Sequence, residues 1–174
     1  MKYNTQAASH ATLSVVGLPA DPECQILVRG IHGLSDKAGS VVTLRAGGTI
    51  EYTLDAAAVA SQAVVPLAST TGLAQNDHVL IQQKDHPFVF ERRVVTSVSA
   101  GVSATMTANL TNTYASGDLL YELSSLGTIA CGAAAINAGA GIAVFAGEIG
   151  RPVGIDLDST SAGNVTMFAE YIEG

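Results

Sequence analysis

Apolar and polar residues alternate with period two over much of this chain, and short clusters of Gly, Pro, Ser, Asn and Asp separate the alternating runs. The pattern is cleanest from Val102 to Leu110. There Val102, Ala104, Met106, Ala108 and Leu110 fall on one face, while Ser103, Thr105, Thr107 and Asn109 fall on the other. Successive side chains of a strand point to opposite faces, so this spacing predicts a strand and leaves no room for a helix. Thr49 to Leu54 alternates in the same way, with Ile50, Tyr52 and Leu54 on one side. Val153 to Asp158 and Asn164 to Ile172 repeat the pattern near the end of the chain.

Read in order, the runs predict strands at Thr12–Val16, Cys24–Val28, Val41–Leu44, Thr49–Leu54, Val64–Leu67 and Val79–Gln82. Phe88–Phe90 and Val94–Val98 predict one long strand bent near Arg92-Arg93, followed by Val102–Leu110, Leu119–Leu123, Ile142–Ala146 and the two C-terminal runs. Gly17–Pro22, Gly30–Gly39, Asp85-His86-Pro87, Gly147–Pro152 and Ser159–Gly163 read as loops or turns. Ala46-Gly47-Gly48 is expected to close a hairpin between Val41–Leu44 and Thr49–Leu54. Asp55–Gln62 is a loop or a single helical turn, too short to stand alone as a helix.

Many short strands with polar turns predict an all-β protein. Residues 1–11 are small and polar and are expected to form a flexible arm. Residues 12–64 and 125–174 each lack enough strands for a closed core. Together they are expected to make a jelly-roll-like β-sandwich, with residues 65–124 as an inserted small β-barrel-like module. The two ends of that module echo one another. Leu73-Ala74-Gln75-Asn76-Asp77 precedes Val79-Leu80-Ile81, and Tyr114-Ala115-Ser116-Gly117-Asp118 precedes Leu119-Leu120-Tyr121.

Composition narrows the function. The chain has 174 residues, of which 48% are hydrophobic and 13% charged, too apolar for disorder. A net charge of -7 with scattered Lys and Arg argues against a nucleic-acid partner. Sparse surface charge suits a surface covered by other subunits. Ile129–Ala146 carries no charge, but Gly132, Asn137, Gly139 and Gly141 interrupt it, so a glycine-rich turn and a buried strand are expected rather than a membrane span. Cys24 and Cys131 are far apart, form no CxxC and are expected as free thiols.

Candidate chemistry is thin. Asp156 and Asp158 share a strand face and could hold a hard cation or serve as a carboxylate pair. They equally suit a solvated strand end beside Ser159-Thr160-Ser161. His78 and His86, preceded by Asp77 and Asp85, could suggest zinc or acid–base chemistry, but neither has a third partner at ligand spacing. His10 and His32 fall in the expected arm and loop. Gly139-Ala140-Gly141 lacks the third glycine of a dinucleotide loop, and no GxSxG elbow occurs. Glu91-Arg92-Arg93 places mixed charge within a strand and is expected as an exposed edge or an inter-subunit ion pair. No enzyme, cofactor or metal site is expected from these residues. Trp is absent and aromatics make up 5%, which lowers the prospect of a sugar platform; Tyr52, Tyr114, Tyr121 and Tyr171 remain, and an exposed face built from tyrosines such as Tyr114 and Tyr121 would supply one.

The segment STTGLAQNDHVLI…ERRVVTSVSAGVSATMTANLTNTYASGDLLYEL resembles small β modules in virion structural proteins of tailed bacteriophages. The likeness lies in the TTG…D-x-V-L-I opening, the V-T-S-V strand, the alternating Thr/Ala strand and Y-A-S-G-D-x-x-Y. The ending GEIGRPVGIDLDSTSAGNVTMFAEYIEG is similar to the closing hairpin of such proteins. The resemblance implies a protein made in the host cytoplasm and located in the virion. Its expected role is capsid decoration (cement), as a homotrimer bound to the major capsid protein. The alternative it implies is a receptor- or glycan-binding module of a fibre or tail.

Overall fold

The structure, a computed structural model, describes residues 2–9, 14–16, 26–35, 41–86, 89–130, 145–146, 155–159 and 164–173, with side chains at 45, 50–86 and 89–125. The described residues hold strands and turns and no helix. The strands are β1 (Lys2–Ser9), β2 (Ser14–Val16), β3 (Ile26–Ser35), β4 (Val41–Thr53), β5 (Val64–Pro66) and β6 (His78–Gln82). They continue as β7 (Phe90–Ser99), β8 (Ser103–Met106), β9 (Leu119–Ala130), β10 (Phe145–Ala146), β11 (Ile155–Ser159) and β12 (Asn164–Glu173). The all-β character expected from the period-two pattern is what the described chain shows. Cys24, Cys131, His10 and Gly139-Ala140-Gly141 lie outside the described residues.

The chain divides into two compact units, Gly47–Ser124 and Met1–Ala46 with Ser125–Gly174. In the second of these, a four-stranded sheet has the order β1-β12-β3-β10. Separately, β11 lies antiparallel to both β2 and the first part of β4. Three expectations change here. Lys2–Ser9 is not a free arm: all its residues pair with β12, from Lys2↔Tyr171 to Ser9↔Asn164, which satisfies backbone groups that an arm would leave to water. Residues 30–35, expected as loop, extend β3 because β12 offers a continuous partner down to Ser35↔Val165. One register shift, between Glu170 and Tyr171, absorbs the irregularity near Gly30.

The third change concerns Gly47-Gly48. No hairpin forms there; β4 runs unbroken from Val41 to Thr53, and the unit boundary falls within it. Glycine permits a turn but does not force one. Here the strand has a partner, with β11 pairing from Val42↔Ser159 to Ala46↔Ile155.

Unit Gly47–Ser124 contains an antiparallel, strongly curled six-strand sheet, a half-barrel of order β4-β9-β6-β7-β8-β5. The end of β4 curls back onto β5 through a Leu54↔Leu67 bridge. Ala68 N–H donates to the Thr53 carbonyl at 3.0 Å, while Leu54 N–H donates to the Asp118 carbonyl at 2.9 Å on the other side. The concave core contains Tyr52, Leu54, Val65, Leu67, Val79, Ile81, Val95, Ala104, Met106, Tyr114 and Leu120. Tyr52 and Leu54 therefore belong to this core, although the sequence places them in the flank before residue 65. They provide the edge on which β5 closes.

Local deviations follow from packing. The expected long strand 102–110 stops at Met106; Ala104 and Met106 are buried as their parity requires, but Val102 is 61% exposed in the β7–β8 turn. After Met106 the chain leaves β8, and Leu110 returns to the core. The bend expected at Arg92-Arg93 is absent. Instead β7 has a register irregularity between Val95 and Ser97, where it changes partners. Asp55–Gln62 is not helical: it lies along residues 110–114, with Ala58 and Tyr114 exchanging both backbone hydrogen bonds at 2.9 Å.

Candidate functional site

The echo between the two ends of the half-barrel becomes the same turn built twice. In the first, Asp77 N–H donates to the Ala74 carbonyl at 3.3 Å, and Ala74 N–H donates to Asp77 Oδ2 at 2.6 Å. In the second, Asp118 N–H donates to the Ala115 carbonyl at 3.2 Å, and Ala115 N–H donates to Asp118 Oδ2 at 2.7 Å. The third residue has positive φ in both, Asn76 at 73° and Gly117 at 92°. Asn and Gly are the residues that tolerate this region, and Asp fits the last place because its carboxylate caps the turn's first N–H. The strands that follow, β6 and β9, then pair antiparallel with Leu80↔Tyr121 and Ile81↔Leu120.

Beside the second turn lies a cleft of about 340 Å³, bordered by Gln83, Asp85, His86, Thr113, Tyr114 and Asp118 among others. Asp118 also accepts Lys84 N–H through Oδ1 at 2.9 Å, so both its oxygens hold backbone. Gln83 Nε2 donates to the Thr113 carbonyl at 2.9 Å and ties the β6–β7 turn to the facing loop. The polar groups of this cleft mainly fasten its walls to one another. No group of three or more His, Cys, Asp or Glu suited to a metal occurs among the described residues.

Sequence candidates separate in the fold. His86 borders the cleft with Asp85, but His78 stands at the opposite end of β6 in contact with the Arg92 guanidinium. The pairs Asp77/His78 and Asp85/His86 therefore form no common site. Asp156 and Asp158 sit on β11 in register with Arg45 and Thr43, and β11 has partners on both sides. Their side chains lie outside the described ones. His32 is on β3 opposite Phe168 rather than in a loop.

Glu91-Arg92-Arg93 is not an exposed edge. β7 is flanked by β6 and β8, and Glu91 and Arg92 are only 7% and 9% exposed. Glu91 accepts Thr111 N–H at 2.9 Å and Asn112 N–H at 3.1 Å, and it pairs with the Arg93 guanidinium. Arg93 also donates to the Asn109 carbonyl at 2.8 Å and to Thr111 Oγ1 at 3.1 Å. The charges thus clamp the loop after β8.

The tyrosines give a second correction. Tyr114 and Tyr121 are both buried, at 0% and 3% exposure, so neither ring is available as a stacking platform. The Tyr114 hydroxyl lies beside Glu91 and Asn112 without a hydrogen bond of regular geometry. Burial, and then the Glu91 charge, push its ionisation far above the ordinary value. Sequence reasoning had no signal for this: a tyrosine in a polar stretch reads as exposed until its strand partner is known.

No helix among the described residues is long and apolar enough to cross a membrane. Comparison with protein-family models, curated proteins and solved structures finds no match for this chain.

Proposed function

We propose that this chain is a virion structural protein of a tailed bacteriophage, acting as a capsid decoration (cement) protein that binds the major capsid protein as a homotrimer. In this reading, the unit of residues 1–46 and 125–174 is a jelly-roll-like sandwich that docks on the lattice. The observation that carries the reading is that the stretch resembling phage β modules lies within one compact unit, Gly47–Ser124. Its polar residues are spent on fastening turns, as the Asp77, Asp118 and Glu91 bonds illustrate. Low charge suits a surface largely covered in an assembly. Bound copies would stabilise the shell by mass action, because they favour the assembled lattice over free subunits.

The rival reading, a receptor- or glycan-binding module of a fibre or tail, loses its platform with the burial of Tyr114 and Tyr121. Size-exclusion chromatography of the purified chain, with imaging and limited proteolysis of particles, tests the proposal. It expects trimers in solution and copies on the head surface. A stable monomer that is absent from purified particles overturns it, and copies confined to the tail favour the rival.

A further inference from the structure

Away from the cleft, the turns at 69–77 meet residues of β4 and β9. Tyr52 on β4 donates its hydroxyl to the Thr71 carbonyl at 3.2 Å. Gly72 has a φ of +93°, and a Cβ there would stand 3.5 Å from the same hydroxyl. Glu122 on β9 lies opposite Val79, and its Oε2 is buried with no hydrogen-bond partner. The Asp77 carboxylate is close enough to act on Glu122 electrostatically, and Asp77 Oδ2 is already committed to Ala74 N–H at 2.6 Å.

Strand register sets Arg93, Val79 and Glu122 in one row, but the Arg93 guanidinium is engaged by Glu91, Asn109 and Thr111. His78, next to Asp77, contacts Arg92. Two carboxylates close together with one oxygen cut off from water favour a state in which one of them keeps a proton. Burial, and secondarily Asp77, push the Glu122 carboxyl above the ordinary glutamate value; burial, and then Glu122 and Asp77, push the Tyr52 hydroxyl up as well.

We propose that Glu122 and Asp77 form a proton-operated latch on the turns at 69–77. A proton on Glu122 removes the repulsion and gives its buried carboxyl a hydrogen to donate, holding the turns against β4 and β9. Release of that proton to solvent restores the repulsion and loosens them. Because the folded state favours the protonated form, the stabilisation is fully present below the ordinary glutamate value of 4.5 and is lost as pH rises through the higher folded value.

Amide hydrogen exchange at Ala74 and Asp77 in the full chain, corrected for intrinsic rates, reads the latch from about pH 4 to about pH 8. Protection should fall with rising pH, by about tenfold for each pKa unit separating the latched and open states. Glu122→Gln cannot ionise and should hold protection level across that range. The same pH dependence in Glu122→Gln as in the parent chain overturns the proposal. Carbon-13 titration of the parent chain decides independently of whether the variant folds: a Glu122 carboxyl titrating at the ordinary glutamate value overturns the latch, and a raised value supports it.

Discussion

Asp77 and Asp118 show how much one carboxylate can organise. Each caps the first N–H of its own turn, but Asp118 also holds Lys84 N–H just beyond the paired strand β6. Asp118→Ala removes two charge-assisted bonds near the core and should cost about 2–4 kcal/mol, against about 1–2 kcal/mol for Asp77→Ala. Urea unfolding of both variants checks the order. Tyr114 makes a different case. Its neutral form is favoured in the fold, so its contribution to stability is present below the ordinary tyrosine value of 10.0 and is lost as pH rises beyond it. Tyr114→Phe should change stability near neutral pH by less than about 1 kcal/mol, since the hydroxyl makes no regular hydrogen bond. The variant should also unfold less steeply under alkali, as thermal melts at rising pH would reveal.

Among the elements, β7 and the loop it restrains depend most on charge. Glu91 holds the backbone of Thr111 and Asn112, and Arg93 holds Asn109 and Thr111. Glu91→Gln keeps the shape but gives up the ion pair and weakens both accepted bonds. The expected cost is about 1–3 kcal/mol, and residues 107–113 should become cleavable in limited proteolysis. Unchanged cleavage there would show that backbone pairing, such as Leu110 N–H to the Gln62 carbonyl at 2.8 Å, suffices. The mixed charge of Glu91-Arg92-Arg93 alone had marked a bent strand with either an exposed edge or an inter-subunit ion pair. Its charged middle is instead internal because the sheet curls and brings the loop over it. Sheet order is a non-local property, so no run of residues around Arg92 could announce it.

For the whole chain, two compact units imply separable folding. Unit Gly47–Ser124 has its own core, and the Leu54↔Leu67 bridge brings its edges together. A fragment spanning 47–124 should fold cooperatively by itself, giving a dispersed amide spectrum and a single melting transition. A fragment beginning at residue 65 lacks Tyr52, Leu54 and Ala58 from the core and should be unfolded or molten. A folded 65–124 fragment would refute the importance assigned to the end of β4.

Period-two alternation, turn residues and composition were enough to predict the all-β character of the described residues, most of their strands, and the two matching turns before β6 and β9. These features are legible because each depends on neighbours in sequence: side-chain parity, glycine or asparagine at positive φ, and an Asp that caps its own turn. The arm that became β1, the hairpin that became a continuous β4, the burial of Tyr114 and Tyr121, and the charged centre of β7 were decided by tertiary structure. In each, the outcome depended on a partner strand or loop distant in sequence, which satisfies backbone groups or excludes water where local composition favours a turn, an arm or an exposed face.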